Sequence, residues 1–130
     1  MKELIRSAIQ ARERSYCPYS GFAVGAALQT ADGAVYTGCN IENGAFTPTC
    51  CAERVAFFEA VKNGERDFSR IVVVGAPKGE KLRRTVPCGV CLQVMLEFCE
   101  PEDFEVVMAC SEEEYEVRKL KELLPYGFKL

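Results

Sequence analysis

Two short stretches of the chain hold residues whose types and spacing could do chemistry: Cys51-Ala52-Glu53-Arg54 and Pro87-Cys88-Gly89-Val90-Cys91. Cys88 and Cys91 stand three apart, so on a helix they share one face of the first turn. That is the usual spacing for two thiolates on one metal ion. Each stretch opens a predicted helix, and Pro87 suits a helix start because its missing N–H costs nothing there. Free N–H groups and the macrodipole at a helix N-terminus stabilise anions, which lowers thiol pKa values. If both helices start at the same end of a sheet, Cys51 becomes a third thiolate ligand and a water takes the fourth position. Three protein ligands with one open position is the layout of a catalytic zinc site rather than a structural one. Glu53, two residues past Cys51, is close to such a metal but outside its coordination sphere. A carboxylate there can take a proton from a metal-activated water and pass it to a substrate nitrogen. Three thiolates leave the zinc site net anionic, and Arg54 is the cation expected to compensate by donating to the sulfurs.

Other readings of the cysteines are open on spacing alone. A C-x-x-C pair also fits a redox couple or half of a structural zinc knuckle. The redox reading expects the pair after the first strand of a thioredoxin-like order, and here it comes late in the chain. A four-cysteine structural site would recruit Cys50, Cys99 or Cys110. Cys50 is adjacent to Cys51 and should point elsewhere, while Cys99 and Cys110 fit core positions. Cys17 and Cys39 read as small hydrophobes or surface thiols. With eight cysteines and no export signal, the chain is expected to mix buried thiols with a metal or catalytic site rather than form disulfides. Histidine is absent, which removes Ser-His-Asp and Cys-His nucleophile systems, HExxH proteases and imidazole zinc ligands.

The elements that must position these residues can be read along the chain. Residues 2–15 carry Leu4, Ile5, Ala8, Ile9 and Ala11 at near-helical spacing, and Pro18 and Gly21 break the pattern. Residues 22–30 and 34–42 read as strands of a hairpin around Asp32-Gly33. Residues 43–50 form a loop, and 51–62 a helix ending near Asn63-Gly64. Residues 70–75 are an apolar strand buried on both faces. A charged loop over 76–87 leads to a helix at 88–99, a strand at 104–109 and a final helix at about 112–123. The order α-β-β-α-β-α-β-α predicts an α/β fold, a three-layer α/β/α sandwich with a mixed sheet of about five strands.

Composition sets the outer bounds. A chain of 130 residues, 48% hydrophobic and free of repeats and linkers, is expected to be one domain over 1–130. No apolar run approaches the roughly 20 residues of a membrane span. The mixed-charge start, Met1 to Arg6, lacks the pattern of a signal peptide, so a cytoplasmic location is expected. A net charge of −3 offers no broad basic footprint for nucleic acid, and the basic run from Lys78 to Arg84 reads as a solvated loop.

Taken together, C-A-E followed by P-C-x-x-C resembles the zinc-dependent cytidine deaminase superfamily. The resemblance extends to Pro18-Tyr19-Ser20-Gly21-Phe22-Ala23-Val24-Gly25-Ala26-Ala27-Leu28, to Gly38-Cys39-Asn40-Ile41-Glu42-Asn43 and to Leu123-Leu124-Pro125-Tyr126-Gly127-Phe128. These segments span most of the chain and point to the small, homotetrameric branch of pyrimidine salvage. The resemblance implies one Zn²⁺ per subunit and hydrolysis of cytidine and 2′-deoxycytidine to the uridine products plus ammonia. It further implies that Asn40 and Glu42 bind a ribose hydroxyl, that Phe22 packs on the pyrimidine and that Ala52 offers backbone groups to the base. Phe128 would reach a neighbouring subunit's site, so the oligomer shares its active sites. Two positions depart from the family pattern. Leu92 stands where an Arg often follows the second C-x-x-C cysteine, which puts more of the charge compensation on Arg54. Phe46 stands where a Tyr often precedes C-A-E, so a hydroxyl that could meet the sugar from a neighbouring subunit is missing. Deamination of a related nucleoside such as blasticidin S, nucleic-acid editing, and a non-catalytic zinc-stabilised module with four protein ligands are the competing functions.

Overall fold

The run Ile71–Val74 lies at the centre of the computed structural model, which describes residues 1–130. It belongs to β3 (Phe68–Pro77), the middle strand of a five-stranded sheet. β1 (Phe22–Thr30) pairs antiparallel with one side of β3, and β4 (Glu105–Ala109) pairs parallel with the other. β2 (Val35–Cys39) lies outside β1, and β5 (Tyr115–Lys119) outside β4, both antiparallel. The order is β2-β1-β3-β4-β5. The hairpin between β1 and β2 turns at Gly33, whose φ of +96° favours glycine.

Alternation along the strands separates two faces. Ala27, Val72, Val74, Val107 and Ala109 pack against Leu4, Ile5 and Ala8 of helix α1 (Lys2–Arg12). Ala26, Leu28, Ile71, Val106 and Met108 face the larger cluster built with α2 (Ala52–Lys62) and α3 (Gly89–Phe98). Phe57 is fully buried within it and meets Phe68 and Phe104 with ring centroids 5.1 and 6.0 Å away. One helix on one face and two on the other give the expected three-layer α/β/α sandwich with a mixed sheet. Arg12 ties α1 to the sheet, donating to the carbonyls of Ala23 (2.8 Å), Ala76 (2.8 Å) and Pro77 (3.1 Å). No helix is long and apolar enough to cross a membrane.

The topology explains why two helix tips meet. β2 and β3 are both antiparallel to β1, so they run parallel to each other. Each then feeds a helix on the same face, α2 and α3, so both N-termini lie beyond the carboxyl ends of the strands. Crevices at those ends are where open α/β sheets hold ligands. Gly38 seats α2, because a Cβ there would lie 2.3 Å from the Ala52 carbonyl oxygen and 2.6 Å from the Ala56 nitrogen. The first turn of α2 therefore rests on bare strand backbone.

The C-terminal region departs from expectation. Residues 112–123 are not one helix: β5 occupies 115–119, and a single turn, α4 (Leu120–Leu123), follows. Tyr115 and Val117 alternate with charged residues, which suits an edge strand better than a helix. A turn precedes it, in which the Ser111 hydroxyl accepts from the N–H groups of Glu113 (3.2 Å) and Glu114 (3.0 Å). Ion pairs lie along the strand, Glu105 with Lys119 at 3.5 Å and Glu116 with Arg118 at 2.7 Å. The first helix also stops at Arg12 rather than residue 15, and the second strand at Cys39 rather than residue 42.

Candidate active site

Cys51 and Cys88 occupy equivalent positions, each the N-cap of its helix with extended backbone (φ −72°, ψ 156° and φ −71°, ψ 165°). Cys91 follows one turn into α3 and is buried. The Sγ atoms of Cys51 and Cys88 are 3.9 Å apart, and all three sulfurs lie within 4.8 Å of one another. A tetrahedral zinc site with Zn–S bonds of about 2.3 Å needs sulfurs roughly 3.8 Å apart. The donor set fits the ion in chemistry and in spacing. Cys50, Cys99 and Cys110 stand outside this cluster, so Cys51, Cys88 and Cys91 are the group that could hold a metal ion.

Charge and burial at the site follow from the fold. Arg54 Nη2 donates to Cys51 Sγ at 3.4 Å and to the Thr49 carbonyl at 3.4 Å. Its Nε is buried without a hydrogen-bond partner. The hydrogen bond to Cys51 comes first among the causes that raise the Arg54 pKa. Cys51 is held down at about 5, first by the hydrogen bond from Cys91, with Arg54 assisting against the opposing effect of burial. The same Cys51 contact, followed by burial, drives Cys91 upward. Glu53 is 4% exposed, and burial pushes its carboxyl up to about 7. A buried carboxyl poised near neutrality is suited to gaining and losing a proton.

A cavity of about 240 Å³ opens beside this cluster. Cys51, Cys88 and Glu53 line one end, together with Ala52 from the first turn of α2. Phe22, Val24, Asn40 and Glu42 line it from the sheet side. Strand alternation accounts for this grouping: Phe22 and Val24 share a β1 face with Ala26 and Leu28, the face that α2 and α3 cover. Asn40 extends that ladder with its side chain, Oδ1 accepting from Val24 N–H (2.9 Å) and Nδ2 donating to the Phe22 carbonyl (2.8 Å). A bridge of paired backbone bonds between Ile41 and Cys50, both 2.9 Å, holds the Asn40–Glu42 segment beside Cys51.

Some lining residues were not among those singled out from sequence. Ser20, Thr49, Thr85 and Val86 all reach the cavity, and so does Cys50. Val24 could have been found, since it lies two residues from Phe22 on the same strand face. Thr85 and Val86 carry no sequence signal; the loop that bears them is pulled in by Arg83 N–H donating to the Gly75 carbonyl at 3.0 Å. Phe46 and Phe128, by contrast, lie outside this chain's cavity. Phe46 is 72% exposed at a left-handed turn (φ +63°), edge-on to Tyr19 with centroids 6.1 Å apart. Phe128 is 66% exposed on the tail after α4, where its carbonyl accepts from Gln93 Nε2 at 2.8 Å. Leu92, on α3 one residue past Cys91, is buried in the larger core cluster and does not line the cavity.

The comparisons with known proteins agree with this arrangement. The family described as the cytidine and deoxycytidylate deaminase zinc-binding region matches residues 1–110. The cytidine deaminase of Halalkalibacterium halodurans is 47% identical over 125 residues, covering 96% of this chain and 91% of that protein. That of Sporosarcina psychrophila is 44% identical over 128 residues, covering 98% and 90%. The crystal structure of cytidine deaminase from Burkholderia pseudomallei superposes with a TM-score of 0.86 at 44% identity, covering 97% of each chain. Motifs, fold and comparisons lead to one conclusion: the chain belongs to the zinc-binding cytidine and deoxycytidylate deaminase family.

Proposed function

We propose that the protein hydrolyses cytidine and 2′-deoxycytidine, replacing the ring amino group with oxygen to give the uridine products and ammonia. The observation that carries this reading is the convergence of three thiols on a buried glutamate at one end of the cavity. Cys51, Cys88 and Cys91 would hold the zinc. Bound there, the ion supplies the Lewis acidity that makes a water nucleophilic near neutral pH. Glu53 takes a proton from the attacking water, delivers it to ring N3 and later assists departure of ammonia. Phe22 packs on the pyrimidine, the Ala52 backbone meets the base, and Asn40 with Glu42 hydrogen-bonds a sugar hydroxyl. Arg54 offsets the negative charge of the thiolates. The apolar walls exclude water and strengthen each of these interactions.

The wider setting is part of the same proposal. Exposed Phe46 and Phe128 suit a site completed by a neighbouring copy, as in a homotetramer. Eight free cysteines, three of them needed as thiolates, suit the reducing cytoplasm, and the nucleoside substrate proposed above suits a role in pyrimidine salvage. Absorbance monitoring of cytidine with the zinc-loaded protein tests the activity. The expected result is conversion that stops when a strong chelator strips the metal. Failure to consume cytidine while a parallel assay consumes blasticidin S would overturn the substrate, and turnover that survives complete metal removal would overturn the chemistry.

A further inference from the structure

The Glu42 carboxylate is held by three donors from a single turn. Oε1 accepts from the backbone N–H groups of Tyr19 (2.9 Å) and Ser20 (3.1 Å). Oε2 accepts from the Ser20 hydroxyl. A fourth bond fixes the direction of that hydroxyl: Phe22 N–H donates to Ser20 Oγ at 3.0 Å. A backbone N–H cannot accept, so Ser20 Oγ receives there and its only proton goes to Glu42. A carboxylate offers about four acceptor positions. Three are taken, one remains on Oε2, and both Glu42 and Ser20 line the cavity.

We infer that Ser20 is a positioning residue that fixes Glu42 as an acceptor-only group, so that a substrate must present a free sugar hydroxyl there and donate its proton. This rests on the nucleoside reading given above. The Ser20 hydrogen bond is also the leading cause that holds the Glu42 carboxyl below the usual carboxylate range. A carboxylate kept charged cannot donate in turn. An ether, a fluorine or a missing hydroxyl leaves its last acceptor position unpaired, and a phosphate ester sets a second negative charge against it. Both cost binding. The turn therefore selects free nucleosides over nucleotides esterified at that hydroxyl, and over polynucleotides. Asn40 complements this choice. With one Nδ2 hydrogen on Phe22 and one Oδ1 lone pair on Val24, it still has a hydrogen to offer the same hydroxyl oxygen.

The test compares Ser20→Ala with the parent on cytidine and on its 2′-, 3′- and 5′-deoxy analogues, using zinc-loaded protein. On cytidine, Ser20→Ala is expected to lower kcat/KM roughly tenfold, mainly through KM. On the one analogue that lacks the contacted hydroxyl, the penalty should shrink to within about twofold, because the interaction Ser20 supports is already gone. Ser20→Thr, which keeps the hydroxyl, should restore most of the parent's KM. Where Ser20→Ala melts early, Glu42→Gln provides the second arm, and its penalty should vanish on the same analogue. Equal penalties on all four substrates would overturn the inference, as would a penalty confined to kcat. A parent enzyme inactive on every nucleoside in the panel would instead remove the nucleoside reading, and this inference with it.

Discussion

The tips of α2 and α3 share one backbone solution and differ in everything else. Each places a cysteine at the N-cap in the same extended conformation, and each aims it at the same point. The α2 tip continues into Glu53 and Arg54, a buried acid and a guanidinium bonded to the thiol. The first turn of α3 holds no acidic residue and runs straight into Leu92, Met95 and Leu96 of the core. In the proposed reaction the α2 tip would move protons and balance charge as well as supply Cys51, while the α3 tip would supply Cys88 and Cys91 and anchor them in the core. The geometry needed to hold a metal is thus separable from the chemistry performed beside it.

Three substitutions sharpen this contrast. Glu53→Gln removes the proton carrier and keeps the shape of α2. We expect turnover of cytidine to fall by about 10²- to 10⁴-fold, with zinc content by elemental analysis unchanged. Retained turnover would take Glu53 out of that role. Arg54→Gln removes the donor to Cys51 while leaving all three thiols in place. Metal affinity, measured by chelator competition, should fall about 10- to 100-fold. Unchanged affinity would place the compensating charge elsewhere. Leu92→Ala, on the other tip, should cost about 2–5 kcal/mol in denaturant unfolding by opening a core cavity. The kcat of the folded enzyme should stay within about twofold, because Leu92 does not line the cavity. A large loss of kcat there would show that α3 does more than hold ligands.

Much of the site was legible in the sequence because it depends on short, local spacing. Cys88 and Cys91 are one turn apart, Glu53 is fixed relative to Cys51 by the same helix, and Phe22 and Asn40 fall on predicted strands. The apolar run at 71–74 likewise marks the central strand, since only a strand covered on both faces needs such continuity. What escaped is what tertiary context decides. Tyr115 to Lys119 is charge-rich enough to read as a helix, and it becomes an edge strand because β4 offers an open ladder and because Glu105 and Glu116 pair with its cations. Thr85 and Val86 reach the cavity through a loop contact with Gly75, more than eight residues away, which no periodicity encodes. Cys50 was expected to turn away from Cys51; it does stay out of the metal cluster, yet the Ile41 bridge leaves it in the wall of the cavity.

The glycine under α2 has a practical consequence. Because hydrogen is all that separates the Gly38 Cα from the helix backbone, the distance between β2 and the first turn of α2 is set at this position by backbone touching backbone. A single added methyl at position 38 would strike the Ala52 carbonyl and the Ala56 nitrogen and push the first turn of α2 out of place, carrying Glu53 and Arg54 with it.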